Sequence, residues 1–449
     1  MGEAGTFRPR VLVIAESCNP EWESIPLVGW SHYEALSRIA DTHLVTRTRN
    51  RPALDRAGLV EGRDYTAIDT EALVRPMARL VERISGQNKG WAMLTALSIP
   101  SYLLLEYEAW RRFGYGRQVG NFDIVHRLTP LSPAVPSLIA ARCRRAGIPF
   151  VLGPINGGLP WPKEYPSLRS REGEWISRFR GLYKYMPWAR STRKDAAAIM
   201  VGGRAALQDL DRKWRGKAVY VPENGIDPAR FPNAPDRSAQ SYAGRPLRVV
   251  FLGRLVPYKG CHILIEAIIP LLQAGRMTLE IIGFGPEEER LRAMVAAAGC
   301  EGTVRFAGKT PHPELAGHLR QADVLAFPSV HEFGGTVVLE AMAMGVVPIV
   351  VDYGGPAELT SPRTGYLLPL LPHAGLVAAL RQVLERIEAD PAQLAARSQA
   401  AIQRVKHLFT WDHKAKQTLE VYRWVMGLRS TRPDWGMPFR DDHLPEQDA

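Results

Sequence analysis

The sequence predicts an α/β protein of two Rossmann-like domains, each a parallel sheet covered by helices on both faces. Three observations predict it. The chain has 449 residues, 46% of them hydrophobic, more than one core usually organises. Short apolar runs alternate with helical spacing through the first half, beginning with VLVIAE at 11–16. A second alternating series starts at Leu247, after a stretch at 224–246 rich in turn formers and poor in periodicity. The domain junction is placed near the start of that stretch.

In the first half, 11–16 and 42–47 read as buried strands with a helix at 29–39 between them. Further strands are expected at 122–126, 149–152 and 196–201, with helices at 136–145 and 205–214. The segment 77–112 has helical spacing and the aromatics Trp91, Tyr102, Tyr107 and Trp110, interrupted at Gly86, Gly90 and Pro100. It is read first as helices packed on the sheet and second as helices touching a membrane surface. The second half supplies strands at 247–253, 278–283, 304–308, 324–329 and 348–352, linked by helices at 262–272, 287–298, 314–321 and 336–344. Apolar strands of this length joined through helices make a sheet buried on both faces. A helix at 411–424 and a polar, proline-containing tail at 431–449 complete the chain.

Charge and cysteine content narrow the function classes. Lys plus Arg number 57 against 46 Asp plus Glu, a formal excess of 11 that favours anionic partners. Local clusters stand at 142–145 and 169–184, without the confined basic and aromatic surface or motif of a nucleic-acid binder, so no nucleic acid is expected. Phosphorylated substrates and an anionic membrane face remain candidates, the latter at the inner face of the plasma membrane. Cys18, Cys143, Cys261 and Cys300 are scattered and form no CxxC pair, which reads as reduced thiols in a cytoplasmic protein. The first residues lack an apolar stretch with a cleavage site, so no targeting is expected. Thr6 stands where a myristoylation consensus takes Ser or Thr, with nothing basic beside it as a second anchor. No apolar run is long enough to span a bilayer.

In an open parallel sheet the ligand lies beyond the carboxyl ends of the strands, where helix amino termini and bare N–H groups point at it. Three places in the second domain qualify. The strand residues 249–252 empty into GRLVPYKG, setting Gly253, Arg254 and Lys259 past their end, and the two cations can neutralise a diphosphate. Gly283 and Gly285 follow the next strand; the acidic residues 287–289 disfavour a phosphate at the following helix, although the glycines let a nucleotide approach the backbone. HEFGGTVVLEAMAMG at 331–345 puts Gly334 and Gly335 directly before a helix, with Phe333 and Thr336 flanking them. Glu340, eight residues after Glu332, can accept ribose hydroxyls, while Glu332 in the loop can address the sugar.

GRLVPYKG and EFGGTVVLEAMA, with PENGID at 222–227 and FTWDHKAKQTLEVY at 409–422, resemble the retaining family-4 nucleotide-sugar glycosyltransferases, which have the two-Rossmann GT-B fold. The first half is similar through FDIVHRLTP at 122–130 and PFVLGPINGG at 149–158, closest in flavour to members acting in polysaccharide or natural-product glycosylation. The resemblance implies residues 1–220, completed by 410–430, as an acceptor domain and 221–409 as a donor domain. It implies that the helix from Trp411 crosses back to the first domain. Arg254 and Lys259 would bind the donor diphosphate, Glu340 the ribose and Glu332 the transferred sugar, with Gly334 and Gly335 supplying backbone contacts. His126, ending a first-domain strand, would sit beside the donor sugar. Asn19, Gly29, Asn156, Gly157 and Gly158 would belong to the acceptor side. Two features depart from the family pattern: the first strand-to-helix loop has Gly29 in place of a glycine pair, and Phe333 directly follows Glu332, so that Gly334 takes the usual aromatic position.

Function expectations follow. The chain is expected to move a sugar from a UDP- or GDP-sugar to a hydroxyl acceptor that the sequence does not identify, stabilising the departing diphosphate with fixed cations and without a metal or cofactor. A GT-B phosphorylase or epimerase and a non-catalytic nucleotide-sugar-binding scaffold are the alternatives. The oligomeric state is not legible.

Overall fold

A computed structural model of the chain describes residues 7–71, 91–114, 121–166, 168, 184–232, 234–235 and 237–436, with backbone alone for 91–98. The described residues fall into two compact units. The first takes residues up to Gly158, those from 184 to Glu223, and those from Trp411 onward; the second takes Leu159–Leu168 and Asn224–Thr410. The chain therefore passes between units after Gly158, after Leu168, before Asn224 and after Thr410.

The first unit is built on a seven-stranded sheet in the order β3-β2-β1-β4-β5-β6-β7. Its strands are β1 Arg10–Ala15, β2 Asp41–Arg47, β3 Tyr65–Ile68, β4 Ile124–Thr129, β5 Phe150–Ile155, β6 Ala198–Val201 and β7 Ala218–Tyr220, all paired in parallel. β4, β5 and β6 are buried at every position, as strands covered on both faces must be. One core layer gathers Val11, Val13, Leu44, Tyr65, Ile124, Leu128, Val151 and Met200, with Val421 and Tyr422 of the last helix, Trp411–Val425. That helix packs on helix Ile25–Ser37, Thr418 Oγ1 meeting His32 Nε2 at 2.9 Å, and so belongs to the first unit although the second unit precedes it in the sequence.

The second unit has a six-stranded sheet in the order β10-β9-β8-β11-β12-β13. The strands are β8 Leu247–Leu252, β9 Met277–Ile282, β10 Val304–Gly308, β11 Val324–Phe327, β12 Val347–Val351 and β13 Tyr366–Leu368, again parallel throughout. The sheet order reverses between β8 and β11, and Val324 registers with Val249 across that boundary. A reversal leaves a crevice at the carboxyl ends of the two strands, because the helices that follow them lie on opposite faces.

The structure moves several expected boundaries. The helix expected at 29–39 starts at Ile25, with Pro26 in its first turn, and the one expected at 205–214 divides into Arg204–Asp209 and a 3-10 segment Arg212–Lys217. The strand expected to end at His126 runs on to Thr129. Pro100 does not break its segment, since Trp91–Phe113 is one helix, while 77–90 lies outside the described residues. β3, β7 and β13 have only three or four residues and carry no readable period. Helices His373–Ala389 and Pro391–Leu408, absent from the sequence reading, cover the sheet of the second unit. No helix among the described residues is long and apolar enough to cross a membrane.

Candidate active site

The reversal between β8 and β11 brings together two of the expected loops. Past β8 the chain runs through Gly253 and an exposed Arg254 into the 3-10 turn Pro257–Lys259. Gly260 then starts helix Cys261–Gln273 with φ 77°, in the left-handed region. A Cβ there would collide with the carbonyl oxygen of Pro328, which follows β11, so glycine is what allows the two strand ends to close up. Val330 N–H donates to Tyr258 O at 3.0 Å and ties the same loops.

Across this join the ammonium of Lys259 pairs with the carboxylate of Glu332. Both are largely shielded, with 16% and 18% of their side-chain surfaces exposed, so solvent and salt screen the pair less than a surface one. Lys259 also stands over the ring of Phe327 at 5.1 Å. Arg254, in contrast, has no ion-pair partner among the described residues.

Glu332 is followed by Phe333, Gly334 and Gly335, and Gly335 opens helix Thr336–Ala343 with φ 73° and no side-chain cap. A second glycine pair holds this loop from behind. Gly355 N–H donates to Glu332 O at 3.0 Å, and a Cβ at Gly354 or Gly355 would strike the Glu332 or Phe333 carbonyl. Thr336 opens the first turn, and Glu340 lies one turn further, 4% exposed, with Oε1 accepting from His312 Nε2 at 2.8 Å.

Gly283 and Gly285 are packed against backbone. A Cβ on either would run into the carbonyl of Gly253 or of Leu255, and Leu255 N–H donates to Phe284 O at 2.9 Å. These glycines let the loop after β9 lie against the loop after β8.

An aromatic wall adjoins the pair. His331 stacks on Trp161 with ring centroids 4.0 Å apart and planes within 2°, and Phe333 meets His331 edge-on at 5.1 Å. Trp161 comes from Leu159–Leu168, which belongs to this unit though it stands far earlier in the sequence. Tyr353 Oη donates to Pro160 O at 2.5 Å and Tyr165 Oη to Leu371 O at 2.8 Å, fastening the segment.

His126 is fully buried in mid-strand, a correction to its expected position at the strand end. Residues at period two share a sheet face, so His126 lies with Ile124 and Leu128 toward the core layer under Tyr422. Its Nε2 donates to Gly153 O at 2.6 Å, and its Nδ1 accepts from Tyr422 Oη at 2.6 Å. Burial lowers its pKa to about 4, so the ring is neutral with both nitrogens used. Such a ring is packed rather than presented to a sugar.

Asn19 is buried after β1, its Oδ1 accepting from Glu21 N–H at 2.9 Å. Gly29 sits where helix Ile25–Ser37 crosses the loop after β1, and a Cβ would hit Ser17 O. Asn156, just past β5, accepts from Gly157 N–H at 2.8 Å and leaves its buried Nδ2 without a hydrogen-bond partner among the described residues. Gly157 and Gly158 follow with φ 134° and 76°.

His312, Trp161, His331 and the pair Gly354–Gly355 escaped the sequence reading. Only the glycine pair carried a signal, opening the short helix Gly355–Leu359 after β12 much as Gly334–Gly335 precede a helix after β11.

Comparison with known proteins agrees with this geometry. The family model described as "Glycosyl transferases group 1" matches residues 235–404, which hold the β8 and β11 loops. A D-inositol 3-phosphate glycosyltransferase of Jonesia denitrificans is 34% identical over 384 residues, covering 80% of this chain and 83% of its own length. The chain belongs to the group 1 glycosyl transferases. This group 1 chain is also 35% identical over 245 residues to a protein of the same name from Kineococcus radiotolerans, 49% of this chain and 54% of the relative. It spans about half the length of several other curated relatives it matches. Sucrose-phosphate synthase from Thermosynechococcus elongatus, at 19% identity, superimposes with a TM-score of 0.62 over 94% of this chain and 100% of its own, a likeness of fold. The fold of this group 1 glycosyl transferase is therefore GT-B.

Proposed function

We propose that the chain transfers a glycosyl group from a nucleoside diphosphate sugar to an acceptor hydroxyl, with retention at the anomeric carbon. The observation that carries this reading is the meeting of Lys259 and Glu332 at the reversal of the second sheet. A cation beside a carboxylate, in a loop of bare glycines that precedes a helix, suits a diphosphate on one side and a sugar on the other.

In the reaction the bond from the anomeric carbon to the diphosphate oxygen breaks and negative charge grows on the leaving phosphate. Lys259 keeps N–H donors beyond the one used by Glu332, and Arg254, without an ion-pair partner among the described residues, offers a second cation. Charges held in place before the reaction stabilise the departing oxygens more than the ground state. Glu332, whose position is set by Lys259 and by Gly355 N–H behind it, addresses the sugar hydroxyls, and Glu340 takes the ribose. Lys259, held by Glu332, and the exposed Arg254 together do the work that a divalent ion does elsewhere, and the reaction is proposed to need no metal. His126 is left out of the chemistry because both its nitrogens serve the core.

The relatives named for D-inositol 3-phosphate direct the acceptor search to a phosphorylated polyol, a choice that suits the excess of 11 positive charges. A phosphate-bearing lipid at an anionic membrane face is the next acceptor class to try. The test is mass spectrometry of products after incubation with pooled UDP- and GDP-sugars and panels of polyol-phosphate, glycan and lipid acceptors. A product heavier by one sugar, with release of nucleoside diphosphate, is expected. Nucleotide binding with no transfer to any acceptor would sink the proposal in favour of a binding scaffold.

A further inference from the structure

Glu340 is a buried carboxylate with a single side-chain partner. Its side chain is 5% exposed, and among the described residues only His312 meets it, Nε2 to Oε1 at 2.8 Å. A carboxylate offers two oxygens and about four lone-pair directions, and keeping it charged inside a protein is costly unless those directions are used. Oε2 therefore retains its acceptor capacity beside the helix that Gly335 opens.

His312 is held for this contact from the other side. It begins the 3-10 turn His312–Glu314 after β10, and the ring of Phe231 meets its own edge-on at 6.0 Å. Because an ionised carboxylate only accepts, Nε2 must carry the proton that it donates. The side chain is 24% exposed, reachable from solvent yet limited by its two neighbours.

We infer that His312 is a positioning residue of the donor site: by occupying Oε1 it fixes the plane of the Glu340 carboxylate so that Oε2 receives the ribose hydroxyls, and so sets a preference for ribonucleotide over deoxyribonucleotide donors. This inference rests on the reading of Glu340 as the ribose acceptor. A hydroxyl meeting a prealigned charged acceptor gains more than one that must first order it, and a deoxyribose forfeits that gain. In this arrangement His312 acts through Glu340 rather than on the sugar or the diphosphate. Its removal therefore weakens discrimination at the ribose and leaves the chemical step in place.

The test is calorimetric binding of UDP, GDP and their 2′-deoxy counterparts to the full chain, with no acceptor and no turnover. The native protein is expected to bind one ribonucleotide at least about tenfold tighter than its 2′-deoxy form. In His312→Ala the ratio is expected to fall to about threefold or less, and His312→Gln, which keeps an N–H donor, is expected to recover most of it. Thermal melts establish that each variant is folded, and His312→Asn replaces the alanine variant if that one is not. An unchanged ratio in a folded variant that lacks the contact overturns the inference, as does tighter ribonucleotide binding, which would show His312 competing with the ribose. If the native protein binds neither UDP nor GDP, the donor-site reading itself fails and the inference with it, an outcome distinct from binding without a change in ratio.

Discussion

Lys259 and Glu332, 73 residues apart, form an ion pair at the carboxyl ends of neighbouring strands. The pair exists because β8 and β11 lie side by side at the reversal of the sheet, and because Gly260 admits the carbonyl of Pro328.

Replacing Lys259 by Ala should lower kcat by roughly 100- to 1,000-fold, the range for losing one charge-stabilising group in a preorganised site. Donor KM should change far less, since the loss falls on the transition state. Steady-state kinetics, with a thermal melt as the folding check, decide this; near-native turnover would remove Lys259 from the leaving-group role.

Treatment with EDTA should leave transfer within about twofold of the untreated rate, because the proposed charge stabilisation comes from side chains. A strict and reversible loss, restored by added Mg²⁺ or Mn²⁺, would overturn the metal-free reading.

Stability should fall on acidification, and His126 should contribute to the slope. Its folded pKa is depressed to about 4, while an unfolded histidine titrates near 6.5. Between these values the unfolded chain binds a proton that the folded chain refuses, so stability is complete above about pH 6.5 and is lost as pH drops toward 4. The full shift corresponds to roughly 3 kcal/mol. His126→Gln should be less stable at pH 7.5, yet lose less melting temperature between pH 7.5 and 4.5 than the native protein. An equal or steeper loss would contradict the assignment.

Asp323 is the anchor of a buried network in the second unit. It is 1% exposed and accepts from Arg237 at 3.1 Å, Arg245 at 2.6 Å and the N–H of Arg248 at 2.9 Å. Asp323→Ala would leave the Arg237 guanidinium buried without its counter-charge, at an expected cost of about 3–5 kcal/mol. Chemical denaturation measures it, and a loss below about 1 kcal/mol would show that the network relaxes.

Two glycines in the second unit should respond with opposite signs. Gly283 has φ 143°, and a Cβ there would collide with Gly253 O, so Gly283→Ala should cost about 2 kcal/mol or more and disturb the β8 loop. Gly317 lies in helix Leu315–Gln321 with open space at its Cβ position, so Gly317→Ala should stabilise by about 0.5–1 kcal/mol. Equal effects in denaturant titration would refute the packing account.

The alternation of strand and helix, the two sheets and the loops after β8 and β11 were legible in the sequence. Each is written in local pattern: an apolar run such as VVFL followed by GRLVPYKG places Arg254 and Lys259 past a strand end without any knowledge of neighbours. β3, β7 and β13 were not legible, since three or four residues are ordered by the strand beside them rather than by their own period. His126 was legible in principle. Its spacing from Ile124 and Leu128 puts it on their face of β4, but the strand was read as ending two residues before Leu128.

By itself the sequence determined which residues stand at the ends of strands, because the period of the chain decides that within a few residues. Only the tertiary structure decided which of them meet. The partners of Lys259, Glu340 and His126 lie 73, 28 and 296 residues away, and the Trp161 segment joins the second unit from far up the chain. Such pairings are set by sheet order and by close backbone approaches at particular glycines, quantities that no local window of sequence contains.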